Sequence, residues 1–162
     1  GTGSTALLLA PDVAQIIASD LSGNMIGIAK KKAQDQGVRN VEFITADVCD
    51  VTVAHGPYDA VLALNLLHLL EDAPAAIRRL HGLLKPGGVF ISKTFCRTGA
   101  GTSLKLRLIK AILPVMQVLG KAPFVRFMAV DDLENMITAH GFEIIEAGNF
   151  PATSRYIVAR KA

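Results

Sequence analysis

Two glycines one residue apart open the chain, in Gly1-Thr2-Gly3-Ser4, and an apolar helical run over residues 5–10 follows. Lacking a Cβ, such a pair lets backbone N–H groups and the start of a helix approach a ligand closely. A tight turn alone would use the same pair. Further on, the run 15–19 ends in Asp20. A carboxylate at the end of a strand accepts two hydrogen bonds, which suits the paired hydroxyls of a ribose. An Asp there also caps helices; the glycine loop upstream favours the ribose role. Val41-Glu42-Phe43-Ile44-Thr45 then leads into Ala46-Asp47-Val48. A later run ends in Asn65-Leu66-Leu67-His68, and Leu84-Lys85-Pro86-Gly87-Gly88 precedes another. His68 has the side chain whose ordinary pKa suits a general base near neutrality, and a pocket-wall or helix-start histidine fits the same place. The four histidines form no metal-ligand pattern.

These residues need a scaffold that brings strand ends together. Short β-rich apolar runs at 15–19, 41–45, 58–65, 88–95, 142–149 and 155–160 alternate with amphipathic stretches. Helical stretches between the first four predict βαβ units and a parallel sheet covered on both faces. The last two, joined by a short link with Pro151, predict an antiparallel pair. Ser22 is expected to cap a helix running to about Gln36, which Gly37 ends. Asp72 is expected to cap a second helix, and Asp131 or Asp132 to open a third with Leu133, Met136 and Ile137 inward. Residues 102–126 read as two helical pieces split at Pro114.

Composition sets the outer bounds. The 162 residues are 51% hydrophobic and 19% charged, which excludes a disordered chain. Cys49 and Cys96 are too few for a disulfide framework, so a reduced, cytoplasmic setting is the expectation. No apolar run reaches the roughly 18 residues of a membrane span. Between Asp72 and Asp131 there are basic residues and no acidic one, a local positive field open to an anionic partner or simply a solvated surface.

The ordered set Gly1-Thr2-Gly3, Asp20-Leu21-Ser22, Ala46-Asp47, Asn65-Leu66-Leu67-His68 and Leu84-Lys85-Pro86-Gly87-Gly88 resembles class I, Rossmann-like S-adenosylmethionine-dependent methyltransferases, in the small-molecule type 11 and type 25 branch. The resemblance implies an α/β three-layer sandwich, with a mostly parallel sheet and an antiparallel C-terminal strand pair. It implies one domain over residues 1–162, with 98–127 a lid or acceptor-binding insertion. Gly1, Thr2 and Gly3 then lie beside the methionine moiety, and Asp20, next to Leu21, binds the ribose. Met25 packs on the adenine, unless it is core filler, and Asp47 accepts from the adenine amino group with Val48 as apolar neighbour. Asn65 stands where cofactor and acceptor meet, and His68 is the candidate acid–base group. The family's first, central strand falls upstream of Gly1. The polypeptide is therefore expected to carry a lid helix and that strand there, and a chain starting at Gly1 is not expected to fold alone.

The implied reaction moves a methyl group to a small, hydrophobic acceptor, with S-adenosylhomocysteine as product and little need for a catalytic side chain. Residues 103–127, apolar with a basic edge, fit a lipid-like or anionic acceptor and peripheral membrane contact, or an ordinary core helix. A nucleic-acid partner is disfavoured because the basic block has few interleaved aromatics. The alternatives are an NAD(P)-dependent oxidoreductase, since Gly1 to Ala6 also fits G-x-G-x-x-A, and a non-catalytic binding module. Against the oxidoreductase, the chain has no Tyr-x-x-x-Lys pair.

Overall fold

The computed structural model describes residues 1–50, 56–97, 124–150 and 153–162. It forms two compact units, Gly1–His55 and Gly56–Ala162. Both are mixed α/β, and the strands lie close to the β-rich apolar runs that predict them.

The first unit starts with α1 (Ser4–Leu9), a 3-10 turn (Ala10–Asp12), β1 (Ile16–Asp20), α2 (Gly23–Asp35) and β2 (Val41–Thr45). β1 and β2 pair in parallel, with Ile16 opposite Val41 and Asp20 opposite Thr45. Ser22 caps α2 as expected, its hydroxyl accepting from the Met25 N–H at 3.4 Å. α2 ends at Asp35, and Gly37 follows with φ +68°, a left-handed turn that glycine adopts without strain. The spacing of Ile26, Ala29 and Ala33 makes one helical face, and these residues pack with Leu7 and Phe43 into a small core.

The second unit contains β3 (Tyr58–Leu64), a 3-10 turn (Leu67–Leu69), α3 (Ala73–Gly82), β4 (Leu84–Arg97), β5 (Met128–Ala129), α4 (Val130–Thr138), β6 (Phe142–Asn149) and β7 (Ser154–Lys161). The sheet order is β3-β4-β7-β6, with β5 also on β4. β3 and β5 run parallel to β4, whereas β7 is antiparallel to both β4 and β6. The parallel core and antiparallel C-terminal pair expected from the sequence are thus both present. Along β4 every second residue from Phe90 to Cys96 is buried, including Ser92 and Thr94. Phe90, fully buried and stacked on Phe142, anchors this core; truncating it to Ala would cost about 3–5 kcal/mol.

Several expectations need correction. The described residues between β2 and β3, 46–50 and 56–57, contain no helix, and the rest of that connection lies outside the described residues. β4 begins at Leu84, ahead of Gly88: Tyr58 pairs with Leu84 but Ala60 with Val89, so Lys85 to Gly88 bulge out of the ladder. Gly87 takes φ +74° within that bulge. The third helix opens at Val130, with Ala129 at the N-cap and no side-chain cap. Asp131 and Asp132 sit in its first turn, where negative charge favours the helix dipole. Leu133 and Ile137 are buried, Met136 only partly. Residues 124–126, the end of the two expected helical pieces, are not helical, and the rest of that stretch lies outside the described residues. So does the expected acceptor insertion 98–127, apart from residues 124–127.

Candidate functional site

In the first unit the motif residues meet at the carboxyl ends of β1 and β2. Asp20 ends β1, and its carbonyl accepts from the Ala46 N–H at 3.1 Å, which ties the two strand ends together. One carboxylate oxygen, Oδ1, accepts from the Ser22 N–H at 2.7 Å. The other, Oδ2, faces the glycine loop and accepts from the Gly1 amine. Ser22, not Asp20, caps α2, so the helix does not need the Asp20 carboxylate. Burial raises the Asp20 pKa, but the hydrogen bonds from Gly1 and from the Ser22 N–H outweigh it and hold the carboxyl below its ordinary range. An ionised, acceptor-only group therefore points at the loop.

Gly3 is the loop's fixed point. Its φ is +74°, and a Cβ there would lie 2.8 Å from Ala29 Cβ and 2.9 Å from the Phe43 ring. Gly1, by contrast, has open space around it. Lys32 reaches from α2 to donate to the Thr2 and Ser4 hydroxyls, both at 3.2 Å. Asp47 follows β2 and is exposed; its Oδ1 accepts from the Cys49 N–H at 2.7 Å, an Asx turn that fixes the carboxylate's direction. Val48 is half-buried. Leu21 and Met25 are 73% and 41% exposed beside Asp20, so Met25 is not core filler.

In the second unit Asn65 and His68 lie just past the carboxyl end of β3. Asn65 takes φ +56°, left-handed for a residue with a Cβ, which turns the chain out of the sheet. The following 3-10 turn carries His68, which is half-buried; desolvation lowers its pKa and favours the neutral ring. Its Nδ1 accepts from the Phe95 N–H at 3.5 Å, and its carbonyl accepts from the Arg126 N–H at 2.7 Å. Phe95 stands in ring contact with both His68 and Phe127, each centroid 6.2 Å away. Arg126 also donates to the Glu71 carbonyl and lies over the Phe124 ring. His81 packs edge-on against Phe142, and His140 bonds Met136 and Arg78; His55 lies outside the described residues.

Lys32 and Phe95 were not singled out from the sequence, and Arg126 and Phe127 were reached only as part of the expected acceptor insertion 98–127. Nothing in their local pattern announces them, because each reaches its place through contacts distant along the chain. Among the described residues no group of three or more His, Cys, Asp or Glu could hold a metal ion. No helix among them is long and apolar enough to cross a membrane.

Parallel βα units with a glycine loop and an acidic residue at the first strand's end are the architecture of the Rossmann-like class. The family model described as methyltransferase domain matches residues 1–88, more than half of the 162, and the chain belongs to that family. Over 101 residues it is 27% identical to the ubiquinone/menaquinone biosynthesis C-methyltransferase UbiE of Coxiella burnetii, covering 60% of this chain and 40% of that protein. Over 91 residues it is 36% identical to the tRNA 5-carboxymethoxyuridine methyltransferase of Escherichia coli, covering 55% of this chain and 35% of that protein. The chain thus spans less than half the length of these curated relatives. Among solved structures, magnesium protoporphyrin IX methyltransferase from Synechocystis with bound SAH superposes with a TM-score of 0.76 at 26% identity, covering 100% of this chain and 70% of that one.

Proposed function

We propose that this chain binds S-adenosylmethionine and serves a methyltransferase that moves a methyl group to a small, hydrophobic acceptor. One observation carries the reading: Asp20 directs one carboxylate oxygen at the glycine loop, where it accepts from Gly1, while Ser22 fixes the other, within the stretch the family model matches. The residues fit the cofactor by their chemistry. Asp20 takes the ribose hydroxyls, and Gly1, Thr2 and Gly3 lie along the methionine moiety. Leu21, Met25 and Val48 give the adenine apolar cover, and Asp47 accepts from its amino group. Asn65 and His68 belong to the acceptor side. The whole chain acts as one domain in the cytoplasm, and residues 124–127 contribute to acceptor choice.

Bound S-adenosylmethionine supplies an electrophilic methyl group on a sulfonium that leaves as a neutral thioether, S-adenosylhomocysteine. The chain's own task is to hold the acceptor in line and keep water out, which is worth roughly 7–11 kcal/mol. A hydrophobic, lipid-like or anionic acceptor suits the apolar and basic composition near the β4 end, as does peripheral contact with a membrane surface. One relative is named for a tRNA substrate, but stacking aromatics are sparse among this chain's basic residues. Isothermal calorimetry of the purified full-length polypeptide with S-adenosylmethionine, S-adenosylhomocysteine and NAD tests the reading. Tighter binding of either adenosyl ligand supports it; tighter binding of NAD would return the oxidoreductase alternative.

A further inference from the structure

β4 presents one edge to three partners in turn. Leu64 pairs with Lys93, and the Asn65 N–H donates to the Lys93 carbonyl at 2.7 Å. The next donor on that edge is the N–H of Phe95, which a continuing parallel ladder would direct to the Asn65 carbonyl. Asn65 instead turns away at φ +56°, and the 3-10 turn brings the His68 ring back to the same edge. Its Nδ1 takes the Phe95 N–H at 3.5 Å. One residue further, β5 takes over, with Cys96 opposite Met128 and Arg97 opposite Ala129. The imidazole therefore fills the rung between β3 and β5, and Arg126 secures it by donating to the His68 carbonyl.

This placement decides which nitrogen carries the proton. A backbone amide can only donate, so the ring nitrogen it meets must be bare. A neutral imidazole then holds its single proton on Nε2. Turning the ring over would set a carbon against the Phe95 N–H and remove that donor's acceptor.

We propose that His68 serves the acceptor side of the site as an Nε2–H hydrogen-bond donor and not as a general base. The fold uses its lone pair, and what it offers a bound molecule is an N–H. The proposal rests on the methyltransferase reading above and narrows the acceptor class. It points to a molecule with a carbonyl, phenolate or enolate oxygen for Nε2–H, joined to a flat or apolar body that suits the Phe95 and Phe127 rings. His68 supplies no base to such an acceptor, which must bind already ionised or lose its proton to water.

Two-bond proton–nitrogen correlation spectra of the whole chain, labelled at histidine and saturated with S-adenosylhomocysteine, test this directly. His68, assigned from His68→Phe, is expected as the Nε2–H tautomer at mildly alkaline pH. The Phe95 amide should resist hydrogen exchange in the parent and lose that protection in His68→Phe. Para-nitrophenolate should shift the Nε2–H resonance, and nitrobenzene, of similar shape without the anionic oxygen, should shift it less. An Nδ1–H tautomer, an unchanged Phe95 exchange rate in His68→Phe, or equal responses to the two probes would each overturn the proposal. Failure of S-adenosylhomocysteine to bind by calorimetry would instead count against the methyltransferase reading, whatever the tautomer.

Discussion

The carboxyl end of β1 and β2 and the carboxyl end of β3 and β4 are assembled by opposite means. At the first, each candidate group borders a regular element: Gly3 precedes α1, Asp20 ends β1 and Asp47 follows β2. Their positions follow once the elements form, and short bonds within the cluster, such as Ser22 N–H to Asp20, set the directions. At the second, His68 depends on Phe95 and Arg126, residues 27 positions away in one case and reached only through folding in both. A ligand site can thus be built from local sequence or from long-range fit, and the two should fail differently when disturbed.

The largest effect is expected at Gly3. Gly3→Ala forces a Cβ into left-handed backbone, about 1–2 kcal/mol, and against Ala29 and Phe43, about 1–3 kcal/mol more. Urea denaturation should register a loss of roughly 2–5 kcal/mol, while Gly1→Ala, with open space around it, should stay within about 0.5 kcal/mol. Equal effects at the two glycines would break the claim that Gly3 anchors the loop.

Next comes Asp20→Ala, which should weaken S-adenosylmethionine binding by about 1–3 kcal/mol through unsatisfied ribose hydroxyls. Because Ser22 caps α2, thermal stability should change far less than affinity. An unchanged dissociation constant in calorimetry would remove Asp20 from the cofactor site.

Asn65 offers a smaller and more selective test. Asn65→Gly keeps the φ of +56° accessible, whereas Asn65→Ala should lose about 1 kcal/mol of stability. If the residue acts through its backbone turn, the Gly variant should retain the His68 resonance of the parent. A resonance shifted in the Gly variant as much as in the Ala variant would show that the side chain and not the turn matters.

The contrast between the regions also explains what could be read in advance. Residues 41–45 and 142–149 were legible to their ends because each is a short β-rich apolar run that begins just after a turn-forming residue, Asn40 or Gly141. Asp20 and Ser22 were legible because strand ends and helix caps have strong residue preferences. The bulge at Lys85 to Gly88 was not, since Pro-Gly-Gly reads as a stop and only the pairing of Tyr58 with Leu84 starts the strand earlier. The start of α4 at Val130 was not, because Ala129 carries no capping side chain and the aspartates just inside the first turn imitate a cap. The His68 rung lay beyond reach for the same reason as Arg126: no local pattern records which backbone donor a distant ring will meet.

The smallest effect is a shallow pH dependence that should separate the two units. His68 and His81 lie in the second unit, and both have pKa values lowered, first by desolvation, with Lys161 and His140 adding to the effect at His81. A histidine depressed in the folded state binds fewer protons there than when unfolded. Stability therefore rises with pH across that interval, is complete above the ordinary value near 6.5, and falls as pH drops toward the folded values. Asp20, lowered from 3.8, behaves in the same direction but far lower: its contribution is present above 3.8 and is lost only as pH falls through the folded value. Between roughly pH 6.5 and 5, hydrogen exchange should therefore accelerate in β3, β4 and β7 before β1 and β2 respond. His81→Leu, which removes a buried ring nitrogen without a partner beside Phe142, should flatten the slope in the second unit. A uniform acceleration across both units, unaltered by that substitution, would mean that the histidines do not set the pH response.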